Sequence, residues 1–193
     1  MKNNTAGSEQ SAFSLLPILA ILNVMKLRDS ILKEHSRKNC HRIVYWVGGS
    51  QERFDQLFQL FLGDDYRVVQ RAAWPLSYCV EAHPRLISKH LGKLISNLKK
   101  QGLHNAVKRN SVRLLQFIEI PVGLHGDLMN ICFSYIADPD EKPAVKAFSL
   151  GVLQKLSSKY PEIKNELKLI INERWEYESA AFRSRGRKIL REC

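Results

Sequence analysis

The sequence predicts an all-α chain built as a stack of about four to five helical hairpins, and three observations predict it. An apolar pattern returns every 38 or 39 residues, each copy carries one-sided helical stripes, and no convincing stretch alternates with a period of two. The nearest period-two candidate, 43–47, falls where the repeat predicts a helix.

The repeat is clearest in the valines. Val68, Val107 and Val145 are registered, and the same shifts place Ala72, Ser111 and Ser149 together, then Leu76, Leu115 and Leu153. A shift of one double unit also lays His83-Pro84 on Tyr160-Pro161 and Leu86 on Ile163. Each unit reads as two helices. The first carries a one-sided stripe: Phe54, Leu57, Phe58 and Phe61; then Leu86, Ile87, Leu91, Leu94, Ile95 and Leu98; then Leu128, Ile131, Cys132 and Tyr135; then Ile163, Leu167, Ile170 and Ile171. The second is apolar over a wider arc, as in Val107, Val112, Leu114, Leu115, Phe117 and Ile118, which suits a helix packed on both flanks and backed by its partner. Pro84 and Pro161 suit a first helical turn, and Gly63, Gly102 and Asp138-Pro139 mark turns. Pro75 is discordant, since it should kink the helix expected from about Arg67 to Glu81.

Residues 25–193 form the predicted repeat domain, a single domain in a chain of 193 residues. Residues 1–24 are apolar towards their end. The stretch Phe13 to Met25 is shorter than the roughly 20 residues a membrane span needs, and its flank lacks the positive charge of a signal peptide. It is expected either as a helix packed on the first repeat or as an extension outside the natural chain, with Met25 a possible start. The four cysteines, Cys40, Cys79, Cys132 and Cys193, are isolated, with neither CxxC nor metal-ligand spacing. No zinc site or cofactor is expected, and a reducing cytoplasm is.

The segment Asp64-Asp65-x-x-Val68-Val69-x-Arg71-Ala72-Ala73 resembles the HEAT repeat family, in which an Asp-containing turn leads to a Val-Arg-x-Ala-Ala-like start of the second helix. Asp140 through Ala147 is a looser copy. The resemblance covers roughly residues 35 to 192. It implies a right-handed α-α superhelix (solenoid) whose second helices line the concave face, and it speaks to fold far more than to function.

Charge gives that face an expected role. The chain carries 30 basic and 19 acidic side chains, a net +11, which favours a polyanionic or acidic partner. With the second helices taken as 36–47, 67–81, 104–119, 142–158 and 178–193, they hold sixteen basic and four acidic residues, leaving the rest of the chain at −1. The asymmetry is incomplete, because 85–100 also carries Arg85, Lys89, Lys93, Lys99 and Lys100 without an acid. The residues expected to bind a partner are Arg42, Arg71, Trp74, Lys108, Arg109, Arg113, Lys146, Arg183 and Arg185. The leading expectation is a non-catalytic scaffold that binds an acidic protein. The alternative is a nucleic-acid-binding protein on the same face, with aromatics beside arginines for stacking. Neither a membrane nor a small-molecule substrate is indicated. A competing structural use exists: in such repeats arginines at the start of the second helix bond turn aspartates of a neighbouring unit, which concerns Arg71 and Arg109. The C-terminal run Arg183, Arg185, Arg187, Lys188 and Arg191 equally suits the polar face of a capping helix.

Chemistry finds little footing. The six histidines are scattered, and there is no P-loop, GxGxxG or GxSxG. The HEAT-like DNA glycosylases that excise alkylated bases are basic solenoids, and their resemblance implies a Trp followed four residues later by an Asp. Here Ser50, Tyr78 and Ser179 follow Trp46, Trp74 and Trp175, so that activity is not supported.

Overall fold

The computed structural model describes residues 26–192. The expectations for residues 1–24 and for a start at Met25 therefore lie outside the described residues. Among the described residues the chain forms ten α-helices and no strand. They are α1 (described over 26–33), α2 (Arg37–Val47), α3 (Gln51–Leu62), α4 (Tyr66–Ala82), α5 (Leu91–Leu98), α6 (Asn105–Leu115), α7 (His125–Ala137), α8 (Pro143–Ser157), α9 (Lys164–Arg174) and α10 (Ala180–Glu192). Odd-numbered helices are the first and even-numbered the second of each hairpin, so the described residues form five units.

The second helices make a continuous layer: α4 packs against α2 and α6, and α8 against α6 and α10. The first helices back that layer, α3 on α4 and α7 on α8. The registered valines Val68, Val107 and Val145 are buried at 2%, 0% and 0% exposure, and Phe182 takes the same position in α10 at 0%. Each such side chain contributes about 1.5–3 kcal/mol by leaving water, and only stacked neighbours provide that burial.

Capping residues set the phase of the repeat. Ser36 Oγ accepts from the Asn39 N–H at 3.0 Å, Asp65 Oδ1 from the N–H groups of Arg67 and Val68 at 3.0 and 3.2 Å, and Ser179 Oγ from the Phe182 N–H at 3.2 Å. Helix α2 ends at Gly48, whose φ of 51° only glycine adopts without strain. The later first helices open through 3₁₀ turns, Pro84–His90 before α5, Val122–Leu124 before α7 and Pro161–Ile163 before α9. Pro84 and Pro161 begin two of these turns and Pro121 precedes the third, because proline's fixed φ suits a first turn.

Helix α4 is continuous from Tyr66 to Ala82 with Pro75 buried inside it, and packing on α2, α3 and α6 holds the helix across the lost backbone hydrogen bond. One local expectation changes. Helix α6 ends at Leu115, short of the expected 119, and the chain is no longer helical where it approaches Pro121, which disfavours helix in the residue before it. No described helix is long and apolar enough to cross a membrane.

Candidate binding surface on the second-helix layer

The basic side chains of the second helices fall into two groups according to what they touch. Those of the first group bind the stack together. Arg71 donates to the Leu32 carbonyl at 2.6 Å, in the last turn of α1, where a cation meets the negative end of a helix. The turn aspartate Asp65 pairs instead with Arg28 at 2.7 Å. Arg113 donates to Ser77 Oγ at 3.1 Å and to Glu81, and its guanidinium lies 4.6 Å from the Tyr78 ring centre and 5.5 Å from that of Phe117. Lys155 reaches the Ile118 carbonyl at 2.5 Å and Glu119 at 3.0 Å.

Lys108 and Lys146 form a repeated device. Each is the fourth residue after its cap, and each pairs with a glutamate that immediately precedes the cap of the next second helix. The Lys108–Glu141 distance is 2.7 Å and the Lys146–Glu178 distance 2.6 Å. One unit earlier the two positions hold Val69 and Leu103, both packed on the core. The Lys146 and Glu178 side chains are 2% and 4% exposed, so Lys146 is an internal strut and leaves the set of partner-binding residues. Lys108, with its ammonium also 5.3 Å from the Tyr135 ring, serves the same purpose.

The second group is open. Arg42 is exposed and, among the described residues, bonds only Asn39 Oδ1 of its own helix, at 2.5 Å. Arg109 and Lys142 are exposed and have no side-chain ion pair or hydrogen bond among the described residues. Arg183 occupies the Lys108/Lys146 position in α10 and is half-buried, without an acidic partner among the described residues; Arg185 reaches Gln116 Oε1 at 3.5 Å. Arg42, Arg183 and Arg185 lie away from the hollow that collects Arg109 and Lys142.

That hollow has a volume of about 530 Å³ and is lined by the caps and inner faces of second helices. Helix α4 supplies Gln70 and Trp74, and the α1–α2 turn supplies His35. The first turns of α6 contribute His104, Asn105 and Arg109, and the start of α8 contributes Lys142 and Pro143. None of the described lining residues is acidic. The nearest carboxylate in sequence, Glu141, has both oxygens engaged, one by Lys108 and the other by the Lys142 backbone N–H at 2.8 Å.

His104 is a cap in which a ring replaces the usual hydroxyl or carboxylate. Its Nδ1 accepts the Ala106 N–H at 3.0 Å, so the neutral tautomer carries its proton on Nε2. Burial, and then the charge of Arg109, holds its pKa below the ordinary histidine value, which keeps it neutral near pH 7. Trp74 continues outward as a row of rings: 5.6 Å to His35 and 6.3 Å to Tyr78, with Tyr78 5.8 Å from His41.

Other reactive groups are structurally occupied. Burial pushes the thiols of Cys40, Cys79 and Cys132 up to about 12, so none is a thiolate at neutral pH. His90 lies 2.7 Å from Asp55 Oδ1 and stacks on Phe58 at 4.3 Å; His125 bridges the Ile120 carbonyl and the Tyr160 hydroxyl at 2.7 and 2.9 Å.

Of the residues expected from sequence, Trp74 and Arg109 meet in one hollow. His35, Gln70, His104, Asn105 and Lys142 join them without having been named as binding residues. A signal for two of these was present: His104 and Lys142 stand at the cap position that is Ser36, Asp65 or Ser179 in the other units.

Comparison with known proteins agrees with this architecture. No curated protein and no solved structure matches the chain. The family described as HEAT repeat domain matches residues 27–193, and the chain therefore belongs to the HEAT repeat family.

Proposed function

We propose that this chain is a non-catalytic scaffold that binds an acidic segment of a partner protein on the inner face of its second helices. One observation carries the reading: a hollow of about 530 Å³ gathers Arg109 and Lys142, neither engaged by a side chain among the described residues, and none of its described lining residues is a carboxylate. Both side chains are exposed, so an incoming acid meets positive charge already presented at the surface. The buried free thiols support a reducing, cytoplasmic setting.

A second reading, single-stranded nucleic acid on the same face, is favoured by the row His35, Trp74, Tyr78 and His41, since bases stack on such rings. Fluorescence anisotropy with a labelled oligoglutamate peptide and a labelled single-stranded oligonucleotide, each at low and moderate salt, separates the two. The scaffold reading expects the peptide to bind and Arg109→Glu with Lys142→Glu to abolish that binding. Peptide binding that ignores both reversals removes the assigned face, and oligonucleotide binding alone replaces the first reading with the second.

A further inference from the structure

We propose that the hollow between α4, α6 and α8 is a phosphoryl-group site, and that the acidic segment it takes from a partner protein is phosphorylated. This rests on the scaffold reading above and specifies the chemistry of its ligand.

The argument begins with the number and placement of free cations. A row of carboxylates or a nucleic-acid backbone carries single charges spaced along a chain, and it needs cations spaced to match. The second helices do not offer such a row next to the hollow. Arg71, Lys108, Arg113 and Lys146 are each engaged by a carbonyl or carboxylate within the stack. Among the described lining residues of the basin, the cations are Arg109 and Lys142, and they converge there. Two cations on one basin suit a compact dianion, and a phosphate monoester carries about −1.5 to −2 charges at pH 7 with three strong acceptor oxygens.

The neutral groups of the basin are of matching kind. His104 has its Nε2–H left after Nδ1 accepts the Ala106 N–H, and Asn105 and Gln70 bring side-chain amide donors. The opening turns of α6 and α8 both border the basin, and the positive ends of those helices reinforce the side-chain charge. Arg109 forms the planar fork that meets phosphate oxygens in pairs, whereas Lys142 acts as a point charge. Trp74 and Pro143 provide an apolar wall for the carbon chain that bears the phosphate. At about 530 Å³ the basin has room for a phosphorylated side chain and part of its backbone, within the range of ordinary ligand sites.

Heteronuclear NMR on the full ¹⁵N-labelled chain tests this, with N-acetyl-O-phosphoserine amide as the probe. The expected result is saturable shifts of the Asn105, Ala106, Arg109 and Ala144 amides and of the Trp74 indole. N-acetylglutamate amide should bind there at least about tenfold more weakly, the equivalent of 1.4 kcal/mol. Arg109→Gln or Lys142→Gln, both at exposed positions, should each weaken the phosphoserine shifts about tenfold or more, whereas Arg67→Gln, outside the basin, should leave them unchanged. Equal shifts from the glutamate and phosphoserine probes would overturn the phosphoryl site while leaving the acidic-partner reading intact. An oligonucleotide that shifts the ring row and the basin together, with no response to phosphoserine, overturns both in favour of nucleic acid. No shift with any probe, combined with oligoglutamate binding elsewhere on the chain, overturns this site and the assigned face together while leaving an acidic partner.

Discussion

Replacing Glu178 with leucine should destabilise the protein by about 3–5 kcal/mol, and replacing Lys146 as well should recover most of that loss. The pair lies 2.6 Å apart with side chains only 2% and 4% exposed. At an effective dielectric near 20 the Coulomb attraction at that distance is about 6 kcal/mol, and removing two ions from water costs several kcal/mol each. The pair as a whole thus contributes little, while a lone ammonium left inside it is expensive. Lys146 keeps only the Pro139 carbonyl, at a long 3.4 Å, once Glu178 is gone; Arg174, bonded to Glu178 at 2.8 Å, is nearer the surface and can turn to water. The chain itself suggests the repair, because Val69 and Leu103 fill the same two positions one unit earlier. Lys146→Val with Glu178→Leu should therefore lie within about 2 kcal/mol of the parent, since apolar residues of similar volume commonly replace buried ion pairs at little cost. Urea denaturation followed by far-ultraviolet circular dichroism on the parent, both single variants and the double variant gives the coupling energy. A Glu178→Leu cost below about 1 kcal/mol, or a double variant worse than either single one, would refute the claim that the pair acts as a unit.

Three further outcomes are expected. Arg113→Ala removes charge-assisted hydrogen bonds to Ser77 and Glu81 together with packing on Tyr78 and Phe117, and should lower stability by about 1.5–3 kcal/mol by the same denaturation assay. Gly186→Val should destabilise by about 1–3 kcal/mol, because a Cβ there would stand 3.0 Å from Ile171 Cγ2 and 3.3 Å from the Trp175 ring; the variant's Trp fluorescence reports whether α10 has moved off α9. Asp55 is pushed up by burial, yet hydrogen bonds from Lys89, His90 and Gln51 outweigh that and hold its pKa below 3.8. A carboxylate with a lowered folded pKa stabilises the fold above its unfolded value and loses that contribution as pH falls through the folded one. The urea midpoints of parent and Asp55→Asn should differ at pH 6 and converge as the pH drops below about 4.

The fold was legible because burial leaves a periodic trace. Val68, Val107 and Val145 must each face the same neighbours, so the same kind of side chain returns at the same phase, and helix ends followed from glycine, proline and Asp-containing turns. Pro75 does not end α4, because local propensity weighs less than packing on three sides. The candidate site was only half legible. A basic residue on a second helix has the same letter whether it faces solvent, as Arg109 does, or a buried glutamate, as Lys146 does. Deciding between them required the residue one unit away, and a difference of 32 residues between Lys146 and Glu178 hides that pairing from any local pattern.

The same inter-unit logic explains why the free charge collects where it does. A second-helix cation is neutralised when the neighbouring unit supplies an acceptor at the matching height, as with Lys108 and Glu141. Arg109 is the next residue along α6 and so points to a different side of the helix, roughly 100° away, where the adjacent units present Gln70 and Lys142 instead of acids. Asp65 and Ser179 give other units an oxygen at the cap, but the units of α6 and α8 place His104 and Lys142 there. Capping by an anionic or hydroxyl oxygen would have diminished the positive field of those helix ends. Two successive caps have thus lost their oxygen on a stretch of the layer where Arg109 also lacks a side-chain partner among the described residues. The local stack gives up favourable capping at that point, a pattern expected where a surface is kept for a ligand that brings the missing negative charge.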